Sequence, residues 1–250
     1  MRHLRLIRAV LGSAGLAACI GLLAGQARAQ GVSGIYQRWN QPIVVTGQGR
    51  PTTPDLFGTV ALPVRADRYA AGWRRAGLDA SFLPSMQRLV APARGLAREQ
   101  QIAYVQAAVT RSVRWISDAT EWGREDYWAS AAETLQHGAG DMEDRAIVKM
   151  QALRTLGWPT RDLYLTMGRD KVGGPITVLL VRLGNRFFVL DDLGGAPIAA
   201  DRREGFEPMI TLGQNASWIH GHRVAGRVGG QVSSRAVAMR RSGSATGSPR

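Results

Sequence analysis

Apolar residues repeat with a helical period in two segments of this chain, and the apolar runs that follow read as strands. Leu96, Ile102, Val105, Val109, Val113 and Ile116 recur on one helical face and predict a long amphipathic helix over 96–119. A second helix is predicted over Met142–Leu156, opened by Asp141 after the turn Gly138-Ala139-Gly140 and stopped by Gly157 and Pro159. Leu163–Thr166 then reads as a strand. Ile176–Leu183 and Arg186–Leu190 are β-branched and aromatic runs split by Gly184-Asn185, the pattern of a tight hairpin. Helices followed by consecutive antiparallel strands predict an α+β fold, with helices packed on an antiparallel sheet. Shorter helices are expected near 67–75 and 131–136, separated by a Gly/Asp/Trp-rich connector at 118–128.

Charge divides the chain differently. The 250 residues carry a net charge of +13, which on its own would suggest nucleic acid. Residues 1–29 hold four arginines and no acid, and residues 223–250 hold six and no acid, leaving +3 for 30–222. That balance predicts no nucleic-acid partner. The start reads as an export signal: a basic stretch to Arg8, an uncharged apolar run from Ala9 to Gly25, and Ala27-Arg28-Ala29 as the cleavage site. Export to the periplasm or medium is expected, with Gln30 as the new terminus and no integral membrane segment. Leu16-Ala17-Ala18-Cys19 offers lipidation at Cys19 as the alternative. The expected organisation is a signal peptide (1–29), an N-terminal extension (30–64), one domain (65–222) and a disordered basic tail (223–250). Cys19 is the only cysteine, so no internal disulfide can form.

The block from Trp122-Gly123-Arg124-Glu125-Asp126-Tyr127-Trp128-Ala129 through Glu133-Thr134-Leu135 to Gly138-Ala139-Gly140-Asp141-Met142-Glu143-Asp144 resembles the bacterial transglutaminase-like cysteine peptidases. So do Ala146-Ile147-Val148-Lys149, Leu153–Gly157, Ile176–Leu183 and Val189-Leu190-Asp191-Asp192-Leu193 and, more loosely, Phe206 to Trp218. The best-known members of that family are periplasmic proteases that release biofilm adhesins. The resemblance implies a papain-like or transglutaminase-like core, with a nucleophile at a helix start and a histidine and aspartate on the sheet.

Carried over by position, the family's Gly-Asp-Cys-Glu-Asp motif puts its nucleophile at Met142. Its histidine falls at Ile176, with Pro175 as the adjacent alternative, and only the aspartate persists, as Asp191. A thioether has no proton to lose and cannot form a thioester, and without an imidazole Asp191 has nothing to orient. The expectation is therefore a pseudoenzyme. Ser130 and Thr177 are the nearest hydroxyls for an active hydrolase by another route, neither with a histidine close in sequence.

Asp141, Glu143 and Asp144 survive around the lost nucleophile. In the family the matching acids bind calcium, which takes hard oxygen ligands; a capped helix start with acids in its first turn explains the same residues without an ion. Trp122, Tyr127 and Trp128 are candidate aromatics for a peptide cleft, or else core filling. Met142 shares a helical face with Ala146, Met150 and Leu153 and reads as a plug of the old cleft. His220 and His222 lack an evident third ligand and read as a loop pair. Asp191 and Asp192 are adjacent on a strand end and must point to opposite faces.

Three functions are consistent with these residues. The leading one is an exported, inactive domain that binds a protein or peptide in the envelope, the partner being an adhesin, an active protease paralogue or its regulator. The others are an active peptidase with a non-cysteine nucleophile, and an envelope-polymer binding protein acting through its basic tail.

Overall fold

The computed structural model describes residues 56–222, apart from Gly173 and Gly194. The expected signal peptide with Cys19, most of the N-terminal extension and the basic tail lie outside the described residues. Within them the order is β1 (Val60–Val64), α1 (Ala70–Ala76), α2 (Pro84–Val90), α3 (Arg98–Ser112), β2 (Arg114–Trp115), α4 (Asp118–Glu121), α5 (Ala131–His137), β3 (Ala139–Gly140) and α6 (Met142–Thr155). Then come β4 (Leu163–Asp170), β5 (Gly174–Leu183), β6 (Arg186–Leu190), β7 (Ile198–Ala199), β8 (Phe206–Leu212) and β9 (Ser217–Gly221). Seven strands form one antiparallel sheet in the order β1-β9-β8-β4-β5-β6-β7, and β2 and β3 make a small parallel pair. The fold is α+β, helices on an antiparallel sheet, as the order of periodicities predicts.

The centre of the domain is α6. Every residue from Glu143 to Leu153 is buried, because the helix lies against β5 and is also packed by α2, α3 and α5. Ile147, Met150 and Leu153 meet Leu163, Leu165, Leu179 and Val181 from one sheet face. Each such aliphatic side chain, fully buried, contributes roughly 1.5–3 kcal/mol. The polar residues enclosed with them are paired: Gln151 Nε2 donates to the Ala76 carbonyl at 2.6 Å, and Lys149 Nζ donates to Asp192 Oδ1 at 2.8 Å. Ile176, Val178, Leu180, Tyr164 and Trp218 alternate to the second sheet face and form a separate cluster.

The structure departs from the sequence reading at several places. The long helix predicted over 96–119 stops at Ser112: Val113 and Ile116 flank β2, whose backbone bonds to Gly138 and Gly140. Strand β1 falls in the segment read as an extension, yet it pairs with β9 in full register, so the sheet begins five residues before position 65. Strands β8 and β9 lie where only a loose resemblance was read, and α2, begun by Pro84 at its first turn, was not predicted.

Candidate functional site

Local sequence brings three carboxylates to the start of α6. Gly138 ends α5 in the left-handed region (φ 64°), which turns the chain into β3. Gly140 then lets the helix approach: a Cβ there would lie 2.7 Å from Asp144 Cβ. Asp141 caps α6, its Oδ1 accepting from the Glu143 and Asp144 amides at 3.1 and 3.3 Å. Asp144, one turn in, accepts from the Ala129 amide at 2.7 Å. Asp118 arrives from α4 and accepts from the Tyr127 amide at 2.6 Å, which holds the connector over the helix start.

Asp118, Asp141 and Asp144 each offer a carboxylate oxygen, and these oxygens lie within 4.8 Å of one another. Burial, reinforced by the neighbouring acids Glu143, Asp126 and Glu121, pushes the Asp118 carboxyl up to about 7. Burial and the charge of Asp118 push Asp144 up to about 8, and Asp141 is raised by burial and by Glu143, Asp144 and Asp118. Asp118 Oδ1, Asp144 Oδ2 and Glu143 Oε2 are buried without a hydrogen-bond partner. Buried carboxylate oxygens left unsatisfied are costly unless a cation or proton reaches them. An all-oxygen donor set with open lone pairs fits a hard divalent cation such as calcium.

The expected acids are therefore distributed differently. Asp141 and Asp144 share the cluster with Asp118, while Glu143 Oε1 turns to β5 and accepts a 2.6 Å bond from the Thr177 hydroxyl. Sequence reasoning missed Asp118 because it placed the residue where a helix gives way to a connector, and nothing local ties it to Asp141 far along the chain.

At the position read as the nucleophile, Met142 is half-buried and packs against the second sheet-face cluster, apart from Ala146, Met150 and Leu153 in the first. The reading that placed all four on one packed face is corrected accordingly. Ile176 also belongs to the second cluster; the β5 side chain that bonds to the first turn of α6 is Thr177. Ile176 thus shares a cluster with Met142, while Thr177, its neighbour in strand alternation, faces the other side of the sheet and meets Glu143.

Asp191 and Asp192 diverge as adjacent strand-end residues must. Asp191 Oδ2 pairs with Arg203 Nε at 3.2 Å, and Arg203 also holds Asp170 at 2.7 Å. Asp192 faces α6 and pairs with Lys149 at 2.8 Å and Arg145 at 3.4 Å. Burial drives the Lys149 amine below its ordinary value, opposed by Asp192. Neither carboxylate is paired with a histidine.

The remaining candidates have structural partners. Trp128 is buried in the main core, so core filling is the reading that fits it. Tyr127 bonds Arg75 and Glu133, and Trp122 stacks on Tyr127 and His137 with centroids at 4.8 and 4.7 Å. Burial alone would raise Glu133, but hydrogen bonds from Ser130, Arg75 and Tyr127 outweigh it and hold the carboxyl at about 2. Ser130 caps α5 and donates to Glu133 at 2.7 Å. His137 pairs with Glu121 at 3.1 Å, His220 bridges Thr59 and Thr211 at 2.9 and 2.8 Å, and His222 is exposed near Glu207. No cysteine occurs among the described residues.

Residues 86–200 match the family described as bacterial transglutaminase-like cysteine proteinase. That segment belongs to this family. It runs from α2 to the end of β7 and includes the carboxylate cluster, Met142 and Thr177. No curated protein matches the chain by sequence. Among solved structures, the chain is similar to LapG of Legionella pneumophila at 21% identity over 59% of this chain and 87% of LapG, with a TM-score of 0.47. The calcium-bound form of that LapG aligns at 20% identity over 60% of this chain and 86% of its own, with a TM-score of 0.49. No helix among the described residues is long and apolar enough to cross a membrane.

Proposed function

We propose that this chain is an exported, catalytically inactive member of the family that binds a peptide or protein segment in the cell envelope, with calcium at Asp118, Asp141 and Asp144. One observation carries the loss of activity. The first turn of α6 presents a thioether, Met142, and the hydroxyl facing that turn, Thr177, already donates to Glu143. Thiol chemistry needs a thiolate with an imidazole beside it, and neither group is at hand. A hydroxyl nucleophile fares no better: Thr177 and Ser130 are both buried, and Ser130 is committed to capping α5, so neither hydroxyl is presented to a substrate.

Calcium is supported by the buried, unsatisfied oxygens of the cluster, and a LapG relative has been solved with calcium bound. Held between Asp118 and α6, the ion would fix the connector that carries Trp122 and Tyr127, and this half-buried aromatic strip is the surface offered to a peptide. An adhesin segment, an active paralogue or that paralogue's regulator fits the role. The test is incubation with a library of extended peptides in calcium, read by mass spectrometry. Capture of peptides with no new termini is expected. Turnover that disappears in Thr177→Ala would overturn the reading.

A further inference from the structure

The opposite end of α6 from Met142 adjoins a surface that neither the family nor the carboxylate cluster accounts for. Between α1 and α2 the chain turns at Ala80–Leu83, with the Leu83 amide bonded to the Ala80 carbonyl at 3.1 Å. Ala80 is buried and Leu83 packs on the core, and of the two residues between them Phe82 is pushed outward, 88% exposed. Leu78, in the same loop, is 54% exposed.

Arginines ring this loop. Arg154, at the end of α6, donates to the Gly77 carbonyl at 3.1 Å. Gln87 bonds the Ser81 carbonyl and accepts from Arg94, which ties Arg94 to the loop's far side. Arg98 donates to the Leu156 and Gly157 carbonyls at 3.4 and 3.2 Å, with its guanidinium stacked on Trp158 at 4.8 Å. Arg74 and Arg88 sit exposed in the last turns of α1 and α2. The acids nearby in the chain are Asp79, which binds the Ser81 amide, and Glu99. Five arginines thus face two carboxylates around two projecting apolar tips.

We propose that this surface docks on an anionic phospholipid bilayer. Arginines at a membrane face gain from headgroup charge, and apolar tips on a convex loop enter the interfacial layer, where a protein partner would need a matching cavity for each. The fourteen residues of α6 span about 21 Å, so docking at this end leaves Met142 and the carboxylate cluster facing away from the lipid. The inference does not depend on the absence of catalysis or on calcium.

The chain from Gln30 contains no cysteine, so Phe82→Cys can be labelled uniquely with an environment-sensitive fluorophore. Val172→Cys, on the β4–β5 turn at the Met142 end, provides the comparison. With vesicles containing phosphatidylglycerol, the label at 82 should shift to the blue while that at 172 does not, and phosphatidylcholine vesicles should shift neither. Adding Arg74→Glu and Arg94→Glu should raise the lipid needed for half the shift by about tenfold or more. Binding through the tail alone, seen as co-sedimentation without a shift at 82, would overturn the proposal. So would a shift at 172 in place of 82, or a response at 82 to polyglutamate and not to vesicles, which would assign the surface to an acidic protein.

Discussion

Replacing Asp118 with asparagine separates a cation site from a helix cap. The three cluster oxygens lie within 4.8 Å, where two unit charges repel by about 3 kcal/mol at an effective dielectric of about 20. Proton uptake relieves part of this, since Asp118 and Asp144 are pushed up to about 7 and about 8. In chelator at pH 8, Asp118→Asn should therefore stabilise the fold by about 1–2 kcal/mol, having removed a charge and kept the shape. Calcium reverses the order. At a hundredfold excess over its dissociation constant it adds about 2.7 kcal/mol to the wild type, or roughly 5–10 °C in melting temperature for a domain of this size. Asp118→Asn should lose most of that gain. Glu143→Gln should keep part of it, because Glu143 acts on the cluster from its bond to Thr177. Differential scanning calorimetry in calcium and in chelator reads all four quantities. A full calcium response in Asp118→Asn, with none in Glu143→Gln, would refute the assignment of ligands.

The same carboxylates predict a pH dependence. Their folded pKa values are raised, so in chelator the stability they contribute is fully present below about pH 4 and is lost as pH rises through 7–8; saturating calcium should flatten that loss, which urea titrations across pH 4–9 would show. Lys149→Met leaves Asp192 buried with only Arg145 at 3.4 Å, and should cost about 3–5 kcal/mol in chemical denaturation, with Lys149→Met/Asp192→Asn recovering much of it. Trp128→Ala empties a buried site against Gly72 and should cost about 3–5 kcal/mol, whereas Trp122→Ala, half-buried, should cost less than half as much; equal losses would contradict their different burial.

The helices and the hairpin were legible because their periods are strong: α6 has its cap and its stop signals in the sequence, and Gly184-Asn185 joins β5 to β6 as read. What failed was the tail of a pattern. Val113 and Ile116 continue the helical spacing of α3, but backbone bonds from 114 and 116 to Gly138 and Gly140 take them into a parallel bridge that only tertiary structure reveals. Strands β1 and β9 pair across the whole domain, and neither Val60–Val64, interrupted by Pro63, nor Ser217–Gly221 shows its partner locally. At the site, the contiguous acids were visible while Asp118, twenty-three residues before Asp141, was not. Strand alternation separates Ile176, in the cluster that Met142 packs against, from Thr177, whose hydroxyl meets Glu143, and the sequence shows neither contact.

The central claim is that the scaffold of a thiol peptidase persists here without its reacting groups, and rebuilding them tests it most directly. In the chain from Gln30, Met142→Cys supplies a single thiol, whose pKa should stay near the ordinary value of about 8.5. Adding Ile176→His places an imidazole on the strand position that shares a cluster with Met142. If it lowers the thiol pKa by about 2 units, the thiolate fraction at pH 6 rises nearly a hundredfold; weaker intrinsic nucleophilicity trims the gain in alkylation rate to about tenfold. Met142→Cys with Thr177→His should show no such gain, because position 177 lies on the opposite sheet face, where its side chain meets Glu143. Equal alkylation rates at pH 6 for Met142→Cys with and without Ile176→His would contradict the claim, as would peptide cleavage by the unaltered chain.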